Sequence, residues 1–402
     1  VAGFQVTELK RSVSLPLIVL YGLGTILGAG IYVLTGVVAS RAGYFTPLAF
    51  LIAAIVASPT AFAYAELSSR FPQAAGEAVY VDRAFRTSAL TSITGVVVAL
   101  IGIVSAATMA RGFVGYLNVL IELPDELIVA VLIIGLGGLA VWGIMQSVVL
   151  AAIVTLLELC GLLFVIYIGF DSAIHSWGDV PIIPELDVLV WSGVLAGAFV
   201  AFYSFIGFED IINIAEETKD PVRNLPRAVI WSLGIATLLY FLTAFVVVGS
   251  VPIEALASST APMALVVETN STMSPVIIAA ISVLAVSNGA LVQMIKSSRV
   301  FYGLARLERL PAWLADLNPV TQTPAKATII VALCTLGLAL FFDVEALAGI
   351  TSAMTLVVFA GVNGALIVVK RTQPEPEGFQ CPMPVPIFGL LTSLVLLVGS
   401  LG

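Results

Sequence analysis

Eleven apolar runs, most of them twenty or more residues long, divide this chain, and they constrain its fold more than any other feature. They fall at residues 14–40, 47–68, 88–121, 127–143, 146–170, 188–212, 228–251, 273–297, 327–342, 347–369 and 385–401. About twenty continuous apolar residues make one helical crossing of a bilayer. The runs are continuous rather than alternating, which excludes a strand barrel and predicts an all-α integral membrane protein. Composition agrees: 60% of the residues are hydrophobic, 10% are charged and mean hydropathy is +1.10. A soluble domain carries roughly 25% charged residues, so too little polar surface remains here to coat a globule. The first run is too long for a signal-peptide core and reads as a retained span.

Charge sets the expected orientation. With the N-terminus in the cytoplasm, 15 of the 17 Lys and Arg residues fall on the inner side, leaving only Arg41 outside and Arg111 within span 3. That bias predicts a multi-pass protein of the cell membrane with a cytoplasmic N-terminus. In this count Lys296, Arg299, Arg306, Arg309 and Lys326 surround the inner loop after span 8. The net charge of −8 and the lack of a basic patch argue against a nucleic-acid partner. Three cysteines without a CxxC pair and a single histidine, His175, argue against zinc, haem or a disulfide framework, so no cofactor and no metal are expected. No phosphate-binding loop is present to drive ATP-dependent transport, and no nucleophile and base are grouped for an enzyme. The partners expected are a small-molecule substrate and membrane lipid.

Spans 1 and 6 share an irregularity. Span 1 carries Gly22, Gly24, Gly28 and Gly30, and span 6 carries Gly207 in Phe205-Ile206-Gly207-Phe208-Glu209. Glycine costs a helix about 1 kcal/mol relative to alanine, and an unwound stretch in a membrane persists only where it lines a cavity or binds something. Five spans separate the two, so they run in opposite directions. This predicts two inverted five-helix repeats with broken helices 1 and 6. Residues 1–171 form the first repeat, 172–187 an extracellular loop, 188–370 the second repeat, and 371–402 an inner loop with span 11. A half-helix starting near Gly30 presents N–H groups to a carboxylate, and one ending near Phe205 presents C=O groups to an ammonium or cation. An amino acid zwitterion needs both. Close helix packing through small residues is the other use of such glycines.

The motifs resemble a known family. Gly22-Leu23-Gly24-Thr25-Ile26-Leu27-Gly28-Ala29-Gly30-Ile31-Tyr32-Val33-Leu34-Thr35-Gly36 is similar to the first span of the amino acid–polyamine–organocation (APC) superfamily, nearest its cationic amino acid transporter-like branch. Ala63-Tyr64-Ala65-Glu66-Leu67-Ser68-Ser69-Arg70-Phe71-Pro72, with Gly76 and Tyr80, is similar to its span 2 exit. Gly207-Phe208-Glu209 with Ala215-Glu216-Glu217-Thr218-Lys219-Asp220-Pro221 and Pro226, and Ser298-Arg299-Val300-Phe301-Tyr302-Gly303-Leu304-Ala305-Arg306 with Leu310-Pro311, are similar to its span 6 and span 8 exits. The resemblance implies a LeuT-like ten-helix core with at least one peripheral helix. Many such chains continue beyond span 11, into a twelfth span or a soluble domain. It implies a secondary active transporter that takes up or exchanges amino acids by alternating access. It implies main-chain substrate contacts at Ile26, Leu27, Gly28, Ala29 and Gly30, and at Phe205, Ile206, Gly207 and Phe208. Ala106 and Met109 of span 3 become pocket-lining candidates, and Phe205 a gate. An amino acid-sensing receptor and a passive solute channel are the alternatives, which flux separates.

Charge inside a membrane marks function by default. Glu158, in the middle of span 5, stands where some proton-coupled relatives carry a lysine. It is a candidate for proton uptake, for pairing with Arg111, for cation contact, or for a structural hydrogen bond. Glu209 is read as a coupling group or as a cap on the freed backbone, with protons as the expected coupling ion. Arg111 faces the cavity or pairs with a carboxylate. Glu66, Glu216 and Glu217 are expected in ion pairs with Arg70, Lys219 or Arg223.

Overall fold

The computed structural model describes residues 11–28, 30–72, 76–142, 148–179, 184, 187–374 and 378–399. Ala29, Lys10 and Glu185, which the sequence places at the site or in loops, lie outside the described residues. Among those described the chain is all-helical: α1 (Leu15–Leu27), α2 (Gly30–Ala42), α3 (Thr46–Arg70), α4 (Gly76–Phe85), α5 (Ser88–Leu120), α6 (Asp125–Trp142), α7 (Val148–Ser176), α8 (Val188–Phe202), α9 (Pro221–Ser250), α10 (Ile253–Ser258), α11 (Pro262–Asn270), α12 (Val276–Arg306), α13 (Ala325–Phe341), α14 (Val344–Thr372) and α15 (Pro384–Gly399). Each apolar run overlaps one of these helices; the first covers α1 and α2, and the sixth continues past the end of α8 at Phe202. Eight helical stretches are long and apolar enough to cross a membrane, and α1, α13 and α15 are shorter apolar helices.

Helix ends depart from the apolar limits where polar residues continue the helix. α9 begins at Pro221, with proline in its first turn, where the missing N–H is no loss. α12 continues to Arg306, past the end of the apolar run at 297, and carries both Lys296 and Arg299. α7 runs to Ser176 and takes Asp171 and His175 into its last turns.

Packing follows a paired scheme. α3 lies along α9 and α5 along α12, while α2 packs on α8. α1 packs on α9 much as α3 packs on α8. Large aromatic side chains fill the centre: Tyr32, Tyr64, Tyr116, Tyr240, Phe202, Phe205, Phe208 and Phe359 are fully buried. Outward-facing Leu, Ile, Val and Phe residues such as Ile134, Leu333, Phe341 and Val395 are exposed. In a bilayer such an apolar exterior is solvated by lipid rather than left bare.

Candidate functional site

Two helix interruptions meet at the centre of the bundle. The first separates α1 from α2, with a turn at Gly28. The second begins where α8 gives way to a 3-10 turn at Tyr203–Phe205. Ile206 is extended, Gly207 takes φ = 129°, and a 3-10 segment runs over Phe208–Glu217. Glycine makes the close approach possible at two positions. A Cβ on Gly30 would lie 2.5 Å from the Cβ and Oγ of Ser204. One on Gly207 would lie 2.6 Å from the Thr25 carbonyl carbon, besides demanding a left-handed φ.

Hydrogen bonds tie the interruptions together. The Thr25 hydroxyl lies 2.9 Å from the carbonyl oxygens of both Gly22 and Gly207. The Tyr240 hydroxyl, from α9, reaches the carbonyl oxygens of Ile26 at 2.8 Å and Ser204 at 2.9 Å. One hydroxyl proton faces two acceptors, so acceptor capacity is left over at the junction. The Gly207 N–H donates to Glu209 Oε2 at 2.8 Å. Glu209 thus caps the interruption that Gly207 opens.

The resemblance-derived residues divide among these surroundings. Ile26, Leu27 and Gly28 end α1, and Gly30 starts α2 against Ser204. Phe205 is fully buried with its ring edge-on to Tyr240, the centroids 5.1 Å apart. Phe208 packs on Tyr64 and Phe359, while Ile206 is buried beside Gly207. Ala106 is buried in α5. Next to it the Ser105 and Tyr203 hydroxyls are 2.9 Å apart. Met109 lines a cavity beside the junction, with Tyr21 and Thr25 of α1, Thr155 of α7, and Asn288 and Gln293 of α12.

Glu158 is fully buried in α7, and neither carboxylate oxygen has a hydrogen-bond partner among the described residues. Its backbone oxygen accepts the Tyr32 hydroxyl at 2.7 Å, and Tyr32 and Tyr240 are its charge-sensitive neighbours. Arg111 is half-buried in α5 and forms no ion pair with Glu158 among the described residues, so that pairing is not made.

Two charged clusters lie toward the face where α1 begins. Lys296 Nζ lies 2.6 Å from Asp210 Oδ1, and the Gln293 amide donates to Asp210 Oδ2 at 3.3 Å. Glu66 is fully buried and accepts from Arg70 at 2.7 Å, from Lys370 at 2.7 Å and from the Cys381 N–H at 2.9 Å. The expected Glu66–Arg70 pair is present, and Lys370 joins it from α14. Tyr240, Lys296, Lys370 and Gln293 escaped the sequence reading. Only the intramembrane tyrosine and glutamine hinted at polar work, and neither stands near a glycine motif.

Residues 15–401 match the family model described as amino acid permease. The chain belongs to the amino acid permease family. This family member is 30% identical over 98% of its length to the vacuolar cationic amino acid transporter 2 of Arabidopsis thaliana, and it covers 64% of that relative. It is 29% identical over 98% of its length to the branched-chain amino acid permease BcaP of Bacillus subtilis, of which it covers 88%. It is 29% identical over 94% of its length to human cationic amino acid transporter 4, of which it covers 62%. The chain therefore spans just under two thirds of the Arabidopsis and human transporters it matches. The relatives are named as transporters and permeases rather than enzymes.

Proposed function

We propose that this chain is a secondary active transporter that moves amino acids across the cell membrane by alternating access. The observation that carries the reading is the junction of the two interruptions, where the Ile26 and Ser204 carbonyl oxygens share one hydroxyl proton from Tyr240. Spare carbonyl acceptors suit an ammonium, and the start of α2 at Gly30 suits a carboxylate. A small cavity lined by Met109 adjoins the junction. The names of the relatives support amino acids as the substrate class.

In this reading α1 to α7 and α8 to α14 hold two inverted five-helix repeats, with α1/α2 and α8 with its following 3-10 segment as their broken first helices. The pairing of α3 with α9 and of α5 with α12 supports that symmetry. The face where α1 begins is cytoplasmic, in keeping with its Lys and Arg residues. Transport is coupled to protons or runs as exchange. Glu158 is the coupling group we assign to the proton mode, because it is an intramembrane carboxyl that no described partner satisfies.

The test is uptake of labelled amino acids, cationic and branched-chain included, into proteoliposomes. It is run with a proton gradient, with sodium, or with internal amino acid. Saturable uptake driven by the proton gradient and lost in Glu158→Gln is the expected result. Uptake that needs only internal amino acid and survives Glu158→Gln removes Glu158 from coupling. Binding without flux under any condition sinks the transporter reading. Tyr240→Phe is expected to raise KM up to about tenfold, since a net hydrogen bond is worth roughly 0.5–1.5 kcal/mol. Uptake kinetics of the purified variant check it, and an unchanged KM removes Tyr240 from substrate positioning.

A further inference from the structure

α4 is a short polar helix between two spans, yet its Glu77 is only 7% exposed. The side chain enters a region shared by α3, α12 and the 208–217 segment. Its Oε1 accepts the Tyr64 hydroxyl of α3 at 3.0 Å. Glu209 and Asp210, 3% and 1% exposed, come from the second interruption. Lys296 of α12 is paired with Asp210 at 2.6 Å and exerts the largest charge-stabilising influence on Glu77 and Glu209. Tyr21 of α1 faces the Asp210–Lys296 pair, with Arg299 and Glu217 beyond it. Tyr80 of α4 is the remaining titratable neighbour of Glu77.

Three buried carboxylates thus share one ammonium. Two further observations show unmet hydrogen-bonding capacity in the same place. The Tyr80 hydroxyl, 1% exposed, and Gln293 Oε1, 3% exposed, have no partner among the described residues. Once Lys296 is assigned to Asp210, Glu77 and Glu209 remain as two like charges in a buried setting. Like carboxylates that share such a setting do not both ionise at neutral pH.

We propose that Glu77 and Glu209 together bind one proton, and that this proton fastens α4 over the second helix interruption. Burial pushes the Glu77 carboxyl above the ordinary carboxylate range, with Lys296 the largest opposing influence. The sign follows. The fastening is complete below the ordinary carboxylate range and is lost as pH rises through the raised value. Deprotonation then sets Glu77, Glu209 and Asp210 against a single Lys296, and α4 loosens. The site is an acid-closed plug on the face where α1 begins. It is distinct from Glu158, which lies in α7.

The plug is tested without any transport assay, so its failure is separable from failure of the transport reading. Cys160, Cys334 and Cys381 are replaced by alanine in the full chain, and Ala78→Cys on α4 supplies one thiol. Its maleimide labelling rate in liposomes is divided at each pH by the rate for the denatured protein, which cancels thiol ionisation. The expected ratio rises about tenfold between pH 5 and pH 8, as the protonated carboxyl is lost. With Glu77→Gln, which cannot ionise, the ratio stays low throughout. A flat profile in the parent, or a rise that persists in Glu77→Gln, overturns the proposal. Tyr64→Phe keeps both carboxyls but removes the donor that favours ionised Glu77, so its midpoint is expected to move to higher pH. A midpoint that stays or falls overturns the proposal independently.

Discussion

Gly207→Ala is expected to abolish amino acid uptake. The added methyl meets two obstacles. At φ = 129° an alanine is strained, and its Cβ would lie 2.6 Å from the Thr25 carbonyl carbon and 2.9 Å from the Ile26 nitrogen. Strain of this kind costs on the order of 1–3 kcal/mol, and the steric conflict adds about 1–3 kcal/mol. The atoms in the way are backbone, which cannot turn aside as a side-chain tip can. Relief must come from separating the two interruptions, which breaks the Thr25 bond to Gly207 and moves the carbonyl oxygens that Tyr240 bridges. Uptake and equilibrium binding of labelled amino acid, measured on protein that elutes as a single species in detergent, are the checks. Binding within a factor of two of the parent would show that the junction is not where substrate sits.

Glu66→Ala is expected to produce the largest loss of stability. It removes the shared acceptor of Arg70, Lys370 and the Cys381 N–H at once. Lys370 keeps its place with a side chain only 13% exposed and no counter-charge. Breaking a buried ion pair by deleting one partner costs about 3–5 kcal/mol. Arg70 retains the Pro374 carbonyl oxygen at 2.7 Å, so the damage falls mainly on the link from α3 to α14 and to the start of α15. Thermal unfolding in detergent should shift down by several degrees. The double variant Glu66→Gln, Lys370→Met should recover part of the loss, because the unpaired lysine charge is gone and the introduced amide oxygen can still accept from Arg70. Equal midpoints for parent and Glu66→Ala would reduce this cluster to a spectator.

Both predictions rest on residues that the sequence displays unequally. Gly207 stands out in the chain because glycine within an apolar run is locally unfavourable, and the same holds for Gly28 and Gly30. Glu66 is visible as an acid at the end of a span, and its partner four residues on follows from helix periodicity. Lys370 does not follow. It is 304 residues away, and only the packing of α14 beside α3 brings it to Glu66.

Tyr240 shows the same limit at the site, since its hydroxyl meets a carbonyl 214 residues earlier in the chain. Lys296, at the end of an apolar run, counts among the basic residues around an inner loop. Its charge carries topological information wherever it sits near the membrane edge, but charge does not reveal that α12 extends past it and turns it toward Asp210. Glu77 is harder still. In sequence it belongs to a polar connector, and nothing local separates a solvated acid there from one enclosed by Tyr64, Glu209 and Lys296.

What the sequence by itself determined was local and periodic. The apolar runs set the helices and the membrane environment, and the basic residues set the expected orientation. These properties depend on hydrophobic burial and backbone propensity, which act over a few turns. The partners of Glu66, Glu77, Asp210 and Tyr240 were decided only by tertiary structure. Hydrogen bonds and ion pairs depend on ångström-scale placement of groups from distant helices, and that placement exists only once the bundle has closed.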